Sequence, residues 1–80
     1  MTIGEAVRRR ILQLCEGKNI SINKLCTLSG VTQSTLNNTM NGRNNSMTVS
    51  TLKKLCDGMG IGIQEFFDSE LFRDLEQEIK

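Results

Sequence analysis

Not one proline occurs among the 80 residues, so no rigid ring interrupts a helix or removes a backbone donor anywhere in this chain. Punctuation falls instead to seven glycines and to the hydroxyl and amide side chains that cap helix ends. These residues cut the chain into helix-sized pieces, and no stretch alternates apolar and polar residues as a half-buried strand would. The expectation is an all-α fold, a compact bundle of about five helices joined by short loops.

The pieces can be placed one by one. Thr2 and Glu5 form a T-x-x-E capping box ahead of Val7, Ile11, Leu14 and Cys15, which share one helical face, and Gly17 is the expected stop. Ser21 caps a short second helix with Leu25, Cys26 and Leu28, ended by Gly30. Val31 and Thr32 lead into a third helix over 33–41. Thr48 caps a fourth, whose buried face is Leu52, Leu55, Cys56 and Met59, and "GMGIG" closes it. The stretch "IQEFFDSELFRDLEQEI" supplies a fifth, with a break near Asp68 and Ser69. This divides the chain into a domain over 1–68 and a C-terminal amphipathic helical extension over 69–80, striped by Leu71, Phe72, Leu75 and Ile79.

A chain of this size is one domain with one modest core. Apolar residues make up 38% and there are three Phe but no Trp or Tyr, so packing is mainly aliphatic. No apolar run approaches the roughly 20 residues of a membrane span, and "MTIGEAVRRR" lacks the apolar core of a secretion signal, so the expected location is the cytoplasm. Cys15, Cys26 and Cys56 show no C-x-x-C spacing, and no histidine is present to complete a zinc site. They read as three small buried thiols, with no metal and no cofactor. Without His, a Gly-rich phosphate loop or a nucleophile beside a base in any known motif, the chain does not read as an enzyme.

Net charge is +1, but it is unevenly spread. Residues 1–60 hold eight Lys/Arg against three acids, and residues 61–80 hold two against six. A basic body with an acidic tail suggests that the two parts face different partners.

Five of the ten residues in "LNNTMNGRNN", Leu36 to Asn45, are asparagine. On a wheel at about 100° per residue, Leu36 and Met40 point inward, whereas Gln33, Asn37, Asn41, Ser34 and Asn38 form one outward arc. Every member of that arc is uncharged and both donates and accepts hydrogen bonds. A merely solvated face would favour Glu, Lys and Arg, which form better helices and pair at i,i+4. Amides suit the edges of bases, Asn or Gln pairing bidentately with adenine, while carboxylates would be repelled by phosphate. In the second helix Lys24 stands where dipole and capping logic prefer Glu, which makes sense beside a phosphate.

The stretch "SINKLCTLSGVTQSTLNNTMNGRNNSMTVSTLKKLCDGMGIGIQEFF" resembles the Cro/Xre-type, phage-repressor-like helix-turn-helix family across nearly the whole domain. The match rests on Leu25, Cys26 in a slot usually held by Ala, Gly30, Val31, the opening Thr32–Gln33–Ser34, and Leu36. It continues through Gly42, Arg43, Thr51, Leu52, Leu55, Cys56, Met59, Ile61 and Phe66. Two departures stand out: Ile22 replaces a common Gln that holds a phosphate, leaving that contact to Ser21, Asn23 or backbone amides, and the loop "NGRNNSMT" lacks a frequent Pro.

The resemblance implies a lambda-repressor-like domain that binds double-stranded DNA through helix 33–41 in the major groove, with transcriptional repression the commonest role. It implies base contacts from Gln33, Ser34, Asn37 and Asn38, with Thr32 at the groove's lip. It implies backbone contacts from Ser21, Asn23, Lys24, Asn41, Arg43, Asn44 and Asn45. Asn44 and Asn45 also read as simple turn formers. Arg8 to Arg10, and Lys53 with Lys54, read first as solvated faces and second as phosphate contacts. Two uses stay open for Leu71, Phe72, Leu75 and Ile79: packing on their own domain, or the seam of a homodimer. The rival function is a protein interaction module or antitoxin of the same fold, acting through that apolar stripe.

Overall fold

The computed structural model describes residues 1–42 and 47–79. The elements are α1 (Ile3–Lys18), α2 (Ile22–Ser29), α3 (Gln33–Met40), α4 (Val49–Met59) and α5 (Ile63–Phe67), then a single 3-10 turn over Glu70–Phe72. Among the described residues there is no strand. No described helix is long and apolar enough to cross a membrane.

Four helices begin on the hydroxyl residues that the sequence points to. Thr2, Ser21, Thr32 and Thr48 have extended backbone, and each side-chain oxygen accepts from the amide three residues on: Glu5, Lys24, Thr35 and Thr51. Each cap satisfies a donor that the helix itself cannot, an effect of about 1 kcal/mol. Only half of the first capping box forms, because the Glu5 carboxylate turns to Arg9, at 3.2 Å. The end of α1 also differs from expectation. Gly17 lies inside the helix, and Asn19 ends it in the left-handed conformation at φ 56°, with the Ile20 amide donating to the Cys15 carbonyl. Asn tolerates that conformation better than most side chains, so glycine was the wrong signal at this end.

The core is Ile11 and Cys15 of α1, Leu25 and Cys26 of α2, Val31, Leu36 of α3, Leu52, Leu55, Cys56 and Met59 of α4, then Ile61 and Phe66. The most extensive pairing is between α2 and α4. A glycine makes it close: a Cβ at Gly58 would lie 2.9 Å from Ser29 Cα. Ser29 has bent its hydroxyl inward along its own helix, donating to the Leu25 carbonyl at 2.7 Å. The three cysteines are free and buried, and desolvation pushes each thiol above its ordinary pKa.

The C-terminal extension departs furthest from the sequence-based expectation. Helix stops at Phe67, Glu70–Phe72 make one 3-10 turn capped by Ser69, and residues 75–79 form no regular element. A short amphipathic segment is marginal as a helix in water, and tertiary contacts here offer its backbone something else. The Glu76 amide, which a continued helix would aim at the Phe72 carbonyl, donates instead to the Met1 carbonyl at 3.0 Å. The Met1 ammonium lies 3.5 Å from the Glu76 carboxylate. Phe72 packs on the core and meets Phe66 and Phe67 at centroid distances of 6.1 and 4.9 Å. The apolar stripe therefore does not form: Leu71, Phe72 and Leu75 are half-buried, and Ile79 is 85% exposed. A dimer through a C-terminal helix loses its helix, and the tail lies back on the start of α1.

Candidate nucleic-acid interface

The turn between α2 and α3 is three residues long, Gly30 to Thr32. Gly30 adopts φ 73°, a conformation costly for any residue with a Cβ, and Val31 buries its side chain immediately after. Thr32 then closes the first turn of α3 twice, its oxygen accepting from the Thr35 amide at 3.2 Å and its hydroxyl donating to the Thr35 hydroxyl at 2.9 Å. Most of its hydrogen-bonding capacity is thus committed to the helix start.

Leu36 is fully buried, and it fixes which way α3 faces. Beside it Thr39 is also buried, its hydroxyl donating back to the Thr35 carbonyl at 3.3 Å, whereas Met40 is only half-buried. Helical periodicity gave no sign of Thr39, because a hydroxyl satisfied within its own helix can enter a core without leaving a donor unpaired. Gln33, Ser34, Asn37, Asn38 and Asn41 are all exposed, so the structure brings the expected arc together on one surface.

Ser21, which caps α2, and Asn23 and Lys24 on it are exposed as well, and Asn23 lies against the start of α3. The two helices are joined there, since Gln33 Nε2 donates to Asn23 Oδ1 at 3.0 Å. Gln33 is thereby held, with one N–H and its carbonyl oxygen still available, which is the donor and acceptor pair that adenine's major-groove edge requires. Asn23 keeps its own amide hydrogens for another acceptor. No local sequence pattern signals this bond, because it depends on the crossing of α2 over α3.

Electrostatics favour a polyanion. No acidic residue occupies the first turn of α2, α3 or α4, whereas Glu5, Glu65 and Glu70 do so in α1, α5 and the 3-10 turn. Acids are normally welcome at that end of a helix. Their absence from these three starts leaves amide donors and positive helix ends without a neutralising carboxylate. Lys53 is paired with Asp57 on α4.

Arg10 turns inward. Its Nε donates to the Phe66 carbonyl at 2.7 Å and a terminal nitrogen to the Glu65 carbonyl at 2.8 Å, capping α5 from another helix. Arg9 pairs with Glu5 on the exposed side of α1. Arg43, Asn44 and Asn45 lie outside the described residues.

A family profile described as Cro/C1-type HTH DNA-binding domain matches residues 10–70. The chain is also similar to a solved structure, the crystal structure of the prophage Lp1 protein 11. The two are 35% identical over 94% of this chain and 99% of that one, with a TM-score of 0.82. No curated protein matches.

Proposed function

Because this chain belongs to the Cro/C1-type helix-turn-helix DNA-binding domain family, we propose that it is a sequence-specific binder of double-stranded DNA and a transcriptional repressor that lays α3 in the major groove. The observation that carries this reading is the exposed and uncharged arc of α3, whose side chains are all of types able both to donate and to accept hydrogen bonds.

Gln33 and Asn37 read adenine edges, with Ser34 and Asn38 bonding neighbouring bases more permissively. Thr32 sits at the lip of the groove and chiefly maintains the start of α3. Ser21, Asn23 and Lys24 hold one backbone at the start of α2, where the helix end itself favours phosphate. Asn41, followed by Arg43, Asn44 and Asn45, tracks the backbone beyond the other end of α3. Repression by occupancy asks only that such contacts outcompete the many non-specific sites on a chromosome.

Selection from a randomised duplex pool at ~0.15 M salt, with sequencing of the retained DNA, tests the assignment. The expected outcome is enrichment of a short motif containing A·T pairs. Two inverted copies about 10 base pairs apart would mark two chains on one duplex. A pool that emerges unenriched, with no salt-dependent retention of duplex, would overturn DNA binding and favour the protein interaction module.

A further inference from the structure

We propose that Arg8 is a phosphate-binding residue, so that α1 supplies the DNA interface with a contact at the turn leaving α3. This rests on the DNA-binding reading above and adds to it an element outside the helix-turn-helix.

The three consecutive arginines have three different fates. Arg10 is consumed in capping α5, and Arg9 is 55% exposed and hydrogen-bonded to Glu5. Arg8 is neither buried nor fully exposed, with 28% of its side chain open to solvent. Its guanidinium is laid across the turn that leaves α3, so that a Cβ at Gly42 would stand 3.0 Å from a terminal nitrogen. Gly42 therefore does two things: it takes a left-handed φ of 74°, and it leaves room for the cation.

Among the described residues Arg8 donates no hydrogen bond to any partner. Its one ion pair among them is a long one to Glu5, at 3.7 Å, on the carboxylate oxygen that Arg9 holds more closely at 3.2 Å. A guanidinium has five N–H donors in a planar fork that matches phosphate oxygens bidentately. Here that fork is steadied by packing while the described residues leave its donors unused. The turn it lies on carries exposed Asn41. A cation already packed against the turn in the free protein has less side-chain entropy left to lose on binding. The acceptor that fits is a sugar-phosphate strand passing the exit of α3.

The test is the salt dependence of duplex binding by the full chain, measured on the selected site and on random duplex for the unaltered protein, Arg8→Gln, Arg8→Lys and Arg9→Gln. Thermal midpoints are recorded alongside. Removal of one phosphate contact should flatten the slope of log K against log salt by about one unit on both duplexes. Arg8→Gln is expected to do this at an unchanged midpoint, while Arg8→Lys and Arg9→Gln keep the slope. An unchanged slope in Arg8→Gln overturns the assignment. So does a weakening that follows a fallen midpoint in Arg8→Gln and Arg8→Lys alike, which would make Arg8 a packing group. Failure of the unaltered chain to bind either duplex would be a different result, removing the DNA reading itself and this contact with it.

Discussion

Two surfaces of this molecule use polar residues in opposite ways. On the face formed by α3 and the start of α2, the exposed side chains are neutral amides and hydroxyls with lysine beside them, and neither first turn carries an acid. At the end formed by α5, the 3-10 turn and the tail, acids are plentiful, aromatic rings are packed together, and polar groups are committed to the fold: Arg10 to the carbonyls of α5, Glu76 to Met1. The first surface gives up helix propensity for groups that stay available; at the second, Arg10 and Glu76 spend their charges on holding the fold together. A residue's contribution to binding and its contribution to folding should therefore separate along this line.

The largest effect should come from the second surface. Phe66 is fully buried and touches both other rings, so Phe66→Ala should cost about 3 to 5 kcal/mol of stability in denaturant unfolding. The base preference of the molecules that remain folded should be unchanged. A shifted preference would mean that the two surfaces are not independent.

Gly58 couples the core to the binding face through α2. Gly58→Ala puts a methyl group into the backbone of Ser29, and should cost about 1 to 3 kcal/mol. It should also weaken DNA binding, since α2 must move as a unit. Binding that survives at full strength would show that α4 yields instead.

Gln33→Ala should have the converse profile. Specific binding should weaken by about 1 to 3 kcal/mol with relaxed base preference, while stability to unfolding stays within about 0.5 kcal/mol, as for surface changes generally. Equal losses on specific and random duplex would contradict the assigned role.

The smallest effect should be at the tail. Glu76→Gln removes an exposed ion pair, worth about 0 to 1 kcal/mol, and should leave binding untouched at every salt concentration.

Much of the fold was legible in the sequence because its determinants are local. A hydroxyl three residues ahead of its amide partner marks the start of four helices wherever it lies in the chain. The arc of α3 follows from helical periodicity once Leu36 is taken as buried. The failures have two causes, one local and one distant. Asn19 displaced Gly17 as the end of α1 because two residue types compete for one conformation and the neighbouring turn decides between them. The tail read as a helix because its spacing is helical, yet the Glu76 amide found its acceptor at Met1, far away in sequence.

The sequence by itself determined where the first four helices start, the apolar anchors of each and the identity of the groups that α3 presents, since periodicity and capping act over one turn of chain. Tertiary structure alone decided how those groups are prepared: that Asn23 holds Gln33, that Arg10 closes α5 from the far end of the chain, and that Arg8 rests on Gly42. Each of these joins residues on different elements. A long polar side chain near several acceptors is settled by the crossing of helices, which no local pattern encodes.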